Sequence, residues 1–473
     1  MAHHFANGFP AHLLMWQRVR EYAVPPSMIE TATARRARGD WAGACAAARF
    51  DVDLDLRALR RRHGNELVTH LRADLRRLAP DLLRWHMPRI APDGRLRPGL
   101  TVSLARYRAS GAAPPLQLVA RTPPARADAG QRISLALWEG PGSAATGQHP
   151  HPHPDRRFRL DLHRHLWDSA RSGELARRSV HDFERTERWA AEAELLLEAE
   201  ERTRGAFTVR LGARNHAVFE LVAPDDSHAP TVRPWLGAIP QQQVAALPVP
   251  PEAAVRVLPD LELLRAGLVT AERLHPLVAA ALAAQGAQDR SGSASAAAPA
   301  APPGDPHRVD CRGELHRIGL RNGVLAAIDH DPAQLRREEL LVALGGPALP
   351  CLRAIDAVHR DPEALPAVRE RLGHGDVVGA LAVVEGLLGP GAVLPDGPLR
   401  EELERAALGR INHGIYRSGL HTGQPDTDAE DDGTEPEPRR AAARRRPRLN
   451  RRTPLLLRRR LTNLARPRSG QTR

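Results

Sequence analysis

Apolar residues recur every three or four positions over much of residues 16–90, the period that lays one stripe along a helix. Leu67, Leu71, Leu75 and Leu78 fall on one such stripe, with Arg72, Arg76 and Arg77 turned outward. Upstream, Ser27 followed by Glu30 has capping-box spacing behind Pro25 and Pro26, which predicts a helix from about Met28 to Gly39. Asp40 then caps a second helix through Trp41, Ala44 and Ala48. Asp51, Asp53 and Asp55 alternate with Val52, Leu54 and Leu56. An EF-hand would need glycine where Leu56 stands and glutamate where Arg62 stands, so this stretch reads as an edge segment leading into a helix capped by Asp55.

From about residue 98 the period shortens to two. Runs at 100–107, 116–121 and 132–138 read as strands, and those within 206–222 flank a Gly-Ala-Arg-Asn turn as a hairpin. An acidic amphipathic helix over 181–203, built around Phe183, Trp189 and Leu196, separates the two groups. Helix returns over 260–284. Residues 285–306 are low-complexity alanine, serine, glycine and proline, the composition of a flexible linker. Beyond it, Asn322-Gly323 between apolar runs predicts a hairpin. Asp331, Pro332 and Gln334 then open a helix, Asp361-Pro362 opens another, and helices continue to about Leu420.

The predicted fold class is α+β. It comprises a helical region (16–92), an α+β middle domain with a mostly antiparallel sheet (98–284), the linker, a hairpin plus helix bundle (307–420) and a disordered charged tail (421–473). One internal echo crosses these boundaries: GDWAGACA at 39–46 and GDVVGALA at 375–382 share glycine, aspartate, a second glycine and two alanines in register. A glycine ending one helix and an aspartate capping the next make a tight helix pair. This is similar to half of a tetratricopeptide-type unit, but no period of about 34 residues recurs, so ordinary helix pairing is the expectation.

Composition narrows the chemistry. All 68 basic residues of the 473 are arginine, and there is no lysine. A P-loop NTPase, a protein kinase and a pyridoxal-phosphate enzyme each need a lysine, so those classes are closed. Cys45, Cys311 and Cys351 are odd in number and far apart, which argues against a disulfide framework and a cysteine-rich zinc site. The first twenty residues lack the pattern of a secretory signal, and no stretch approaches the roughly 20 apolar residues of a membrane span. The expected setting is cytoplasmic, with Met15 a second candidate start beside Met1.

Candidate catalytic chemistry centres on histidine. His149, His151 and His153 alternate with proline, and three residues per polyproline turn send them to different faces. In an extended strand, Asp161, His163 and His165 would share one face while Leu160, Leu162 and Leu166 fill the other; a carboxylate and two imidazoles there are a candidate metal site. An exposed polar strand face is the plainer reading. The Gly140-Pro141-Gly142-Ser143-Ala144-Ala145 loop fits a dinucleotide fingerprint only superficially, because Gly147 and the His-Pro run break any helix after it. No G-x-S-x-G elbow or H-E-x-x-H helix occurs, and Cys311 with His316 or His330 carries no nucleophile signature. No cofactor is predicted.

The strongest charge signal is terminal. Residues 439–473 hold fourteen arginines and no acid, and residues 426–437 before them hold seven acids and no base. Leu457, Leu461 and Leu464 fall on one side of a short cationic helix after Thr453-Pro454. Arg444, Arg445, Arg446, Arg451, Arg452, Arg458, Arg459 and Arg460 are the expected contacts with nucleic acid or an acidic partner, by phosphate-directed binding without base readout. The absence of aromatics there removes base stacking, and contact with a membrane surface is a further option for such a helix. The functional expectation is a non-catalytic adaptor that uses its helical domains for protein partners and its tail for a polyanion. The alternatives are a metal-dependent enzyme centred on Asp161, His163 and His165, and a structural subunit of a larger assembly.

Overall fold

The structure is a computed structural model that describes residues 9–107, 115–141, 149, 151–178, 185–210, 216–222, 231–237, 239–289, 308–311, 314–321, 324–343, 349–353, 355, 365–388, 393–394 and 396–419. Two units divide the chain, residues 1–414 and 415–473. In the second, only the end of a helix is described. The fold is α+β, with mostly antiparallel sheets packed by helices.

Five helices open the chain: α1 (Ala11–Arg18), α2 (Pro26–Ala37), α3 (Trp41–Ala47), α4 (Leu56–Arg77) and α5 (Pro80–His86). Helix α2 begins two residues before the expected Met28. Pro25 is extended and Pro26 takes the first helical position, where its missing N–H costs nothing, so Ser27 lies inside the first turn and caps nothing. The other two caps form as expected. Asp40 accepts from the Gly43 N–H at 2.8 Å, and Asp55 from the Arg57 and Ala58 N–H groups at 2.9 and 3.0 Å. The stripe of α4 also holds, with Leu67, Leu71, Leu75 and Leu78 all buried.

Strand β1 (Phe50–Asp53) is an edge strand. The short pair β2 (Arg89–Ile90) and β3 (Arg95–Leu96) precedes β4 (Thr101–Tyr107), β5 (Leu116–Arg121) and β6 (Ile133–Trp138). The main sheet has the order β1-β6-β5-β4, antiparallel except for the β1/β6 pair, whose register sets Phe50 against Ile133. Every residue of β5 is buried, because helices cover one face while Val119, Ala136 and Trp138 cluster on the other. One core runs from Leu13 on α1 through α4, α5 and the sheet to Ala281, so the N-terminal helices and the sheet share their apolar interior.

Helices α6 (Glu174–Arg178) and α7 (Arg185–Ala199) lead to a second sheet of β7 (Gly205–Arg210), β8 (His216–Val222) and β9 (Thr231–Pro234). Ala190, Ala193 and Leu197 of α7 pack on Phe207, Val209 and Leu221. Helices α8 (Gln241–Ala246), α9 (Glu252–Val255), α10 (Pro259–Arg265) and α11 (Pro276–Asp289) follow, and α11 carries helix into residues 285–289. A third sheet joins β10 (Arg308–Cys311), β11 (Glu314–Arg321) and β12 (Val324–Ala327); Arg321 pairs with Val324 across the expected Asn322-Gly323 turn, which lies outside the described residues. Helix α12 (Pro332–Ala343) is capped by Asp331 through the Ala333 N–H at 3.1 Å. Helices α13 (Leu365–Gly373), α14 (Val377–Leu388) and α15 (Pro398–Arg417) close a small core around Val368, Ala380 and Val384. Among the described residues no helix is long and apolar enough to cross a membrane.

Candidate functional site

A cavity of about 570 Å³ opens where α1, the α5–β2 junction, the 157–166 turn and α9–α10 meet. Its apolar wall comes from Met15, Trp16, Met87, Phe158, Leu166 and Val257. Its polar wall is strongly basic: six arginines line it against two glutamates, with His12, His86 and His165 between them.

Not all of that charge is available to a ligand. Arg20 is locked by Asp260, with Nε donating at 2.9 Å and Nη2 at 2.8 Å. Arg178 is bound bidentately by Glu192 at 3.0 and 2.5 Å. Arg157 donates through Nη2 to Glu252 at 2.7 Å, but its Nε is buried with no hydrogen-bond partner. Among the described residues Arg89 has no carboxylate partner; Nη2 donates to the Arg84 carbonyl at 2.7 Å, Nη1 to that of Gly94 at 3.4 Å, and its buried Nε has no partner. Burial and the nearby Arg20 charge push its pKa down to about 9. His86 Nε2 is likewise buried and unpartnered, and burial, then the charges of Arg20 and His275, hold this imidazole well below its ordinary pKa. Three buried nitrogens on one cavity wall therefore lack the partners that interior polar groups normally have.

The proposed metal residues stand at the edge of this region. The expected strand over 160–166 is absent: residues 160–162 form a turn, and Arg164–Leu166 a single 3₁₀ turn. Backbone bonds from His163 N–H to Leu160 and from Leu166 N–H to His163 close these turns, and the three-residue spacing of Leu160, His163 and Leu166 suits them. The Asp161 carboxylate accepts two hydrogen bonds from Arg159, at 3.2 and 2.7 Å. The His163 and His165 rings meet edge to face 5.5 Å apart; His163 lies 3.4 Å from Glu192, while His165 lines the cavity. A metal here would have to draw Asp161 away from Arg159. Among the described residues no group of three or more histidine, cysteine, aspartate or glutamate side chains is arranged to hold a metal ion.

The eight tail arginines, Arg444 to Arg446, Arg451, Arg452 and Arg458 to Arg460, lie outside the described residues, as does the 142–148 stretch of the glycine-rich loop. Sequence reading missed two groupings. The arginines at 84 and 89 look ordinary in a chain whose every base is arginine; the one local sign is Arg84 in the apolar run Leu82-Leu83-Arg84-Trp85. Cys351 meets His330, with Sγ 3.2 Å from Nε2 and the His316 ring stacked 4.1 Å from that of His330. Comparison with known protein families, with curated proteins and with solved structures finds no match to this chain.

Proposed function

We propose that the chain is a binding protein for an anionic small molecule with an apolar body, seated in the α1/α5/α10 cavity. The observation that carries this reading is the set of buried nitrogens of the cavity lining without a partner among the described residues, Arg89 Nε and Arg157 Nε, which donate, and His86 Nε2, which donates when it carries the ring's proton, beside the apolar Met15, Trp16 and Phe158. A carboxylate or phosphate supplies the missing acceptors, and an alkyl or aryl group fills the rest. The test is thermal stabilisation by decanoate and dodecyl phosphate, with dodecanol as the neutral control. The anionic probes raise the Tm, dodecanol does not, and Arg157→Met loses the response; equal effects of charged and neutral probes would overturn the proposal.

A second contact, through the tail, is favoured by the charge segregation of the sequence, seven acids followed by fourteen arginines. It would hold nucleic acid or an acidic partner electrostatically, with affinity falling steeply as salt rises. Replacing the eight named arginines by glutamine in the full chain and measuring binding to random-sequence duplex DNA over a salt series tests it. Unchanged binding removes the tail from the account.

A further inference from the structure

Behind Arg89, away from solvent, lies a second group of positive charges. Arg84 on α5 is fully buried. Its Nε donates to the Ala23 carbonyl at 3.1 Å, while Nη1 and Nη2 have no hydrogen-bond partner. The next residue group is fixed against it: Arg89 Nη2 donates to the Arg84 carbonyl, and the β2/β3 pairing sets Ile90 opposite Arg95. From the other side comes the α13–α14 turn. The His374 ring stacks on Tyr22, next to Ala23, with centroids 6.5 Å apart, and its backbone carbonyl accepts from Arg49 Nη1 at 2.8 Å. Arg95 Nε and His374 Nδ1 are also buried and unpartnered.

Charge pairing within this group is incomplete. Arg49 is paired with Asp376, Arg95 with Asp128 and Arg132 with Asp51. Among the described residues Arg84 and Arg89 donate only to carbonyl oxygens, and the carboxylate whose charge reaches Arg84, that of Asp376, accepts from Arg49 and Arg371. A guanidinium does not give up its proton in a protein, so the fully buried Arg84 is a positive charge with no carboxylate hydrogen-bonded to it among the described residues, an arrangement that is costly unless an anion is present. The neighbours respond to that field: burial, then the charges of Arg89, Arg84 and Arg95, press His374 down to about 3, and for Arg84 burial, then the charges of Arg49, Arg89 and Arg132, outweigh the attraction of Asp376.

We propose that Arg84, Arg89, Arg95 and His374 enclose a small divalent oxyanion, hydrogen phosphate or sulfate, which ties the α13–α14 turn to α5 and the β2/β3 pair. The buried Arg84 charge, with the half-buried Arg89 charge acting on it, suits a dianion. The unpartnered nitrogens, two on Arg84 and one on Arg95, supply N–H donors for the oxygens, the neutral His374 ring adds another when its proton is on Nδ1, and Arg89 contributes its charge, its free Nε–H being that of the outer cavity. This site takes the bare ion, whereas the cavity on the outer side of Arg89 takes an anion with an apolar body.

The experiment uses the full chain. Protein is denatured in acid and the released anions are measured by ion chromatography; in parallel, protein dialysed against chloride is returned to phosphate or sulfate at constant ionic strength and its Tm recorded. The expected results are about one oxyanion per chain and a rise of several degrees with phosphate or sulfate that chloride does not give. Arg84→Met and Arg95→Met lose the rise. Should Arg84→Met fail to fold, Arg95→Met and the released-anion assay decide alone. Equal Tm in all three salts, no released oxyanion, or an Arg84→Met protein that keeps the phosphate response would each overturn the proposal. The two sites separate cleanly, because Arg157→Met abolishes the dodecyl phosphate response while leaving that to inorganic phosphate.

Discussion

Arg20 and Asp260 form a two-pronged ion pair across 240 residues of sequence, with both side chains withdrawn from water. The guanidinium also lies 4.3 Å over the Trp85 ring and donates to the Trp85 carbonyl at 2.7 Å, while the indole N–H of Trp85 donates to Asp260 at 3.0 Å. The three residues bind α10 to the first helices, and Arg20 lines the basic cavity.

Breaking this pair from one side leaves a buried guanidinium with half its partners gone. Asp260→Asn is expected to cost about 3–5 kcal/mol, measured as a fall in the denaturant midpoint at pH 7. The double change Arg20→Met with Asp260→Leu removes both charges and costs less than Asp260→Asn alone. A double variant as unstable as the single one would show that packing, not the stranded charge, sets the loss.

The two GD-x-x-GA segments are the same local structure. Gly39 and Gly375 both hold a left-handed backbone, at φ of 76° and 79°, and Asp40 and Asp376 cap the following helices through the Gly43 and Gly379 N–H groups. A Cβ at either Gly43 or Gly379 would meet the capping carboxylate at 2.1 Å, which explains the second glycine of the motif. Their surroundings differ, since Asp376 also accepts from Arg49 and Arg371 at 3.1 and 2.9 Å. Asp376→Ala is therefore expected to lose roughly 2–3 kcal/mol. Asp40→Ala, at a half-buried cap with Arg35 alone donating to it at 3.0 Å beside the Gly43 N–H, loses less. Matched unfolding curves of the two variants check the order.

This contrast also marks where sequence reading stops. Asp40, Asp55 and Asp331 were legible because a cap needs only its own next three residues. The stripe of Leu67, Leu71, Leu75 and Leu78 was legible because its period holds over about three turns beyond the kink at Gly64. The 160–166 segment misled because seven residues of near alternation fit a strand as well as a pair of tight turns, and local backbone bonds decided the outcome. Arg84 and Arg89 stayed hidden for another reason: their meaning lies in the carboxylates they lack, and pairing with Asp260, Asp376 or Asp128 is settled only when distant segments pack. The cavity likewise draws its wall from residues between 12 and 262.

Burial pushes the Cys45 thiol up to about 12, with the Asp40 charge adding to it. Cys45 is then expected to resist alkylation in the folded protein at pH 8 and to react only on unfolding. Peptide mapping after a short iodoacetamide pulse checks this, and labelling of Cys45 in native protein would contradict the packing of α3.

His149 gives the chain a defined response to acid. Its Nε2 faces the Thr122 carbonyl at 2.8 Å and Nδ1 accepts from the His151 N–H at 3.2 Å, so the neutral Nε2-protonated ring satisfies both contacts. Burial lowers its pKa from 6.5 to about 4. Between those values the unfolded chain binds the proton and the folded chain does not, so this contribution to stability is complete above pH 6.5 and declines as pH falls towards 4. The loss reaches on the order of 2–3 kcal/mol. His149→Gln keeps a donor to the Thr122 carbonyl but cannot titrate, so its Tm should fall less than that of the native chain between pH 7 and pH 5. Parallel pH slopes for the two proteins would place the acid sensitivity elsewhere.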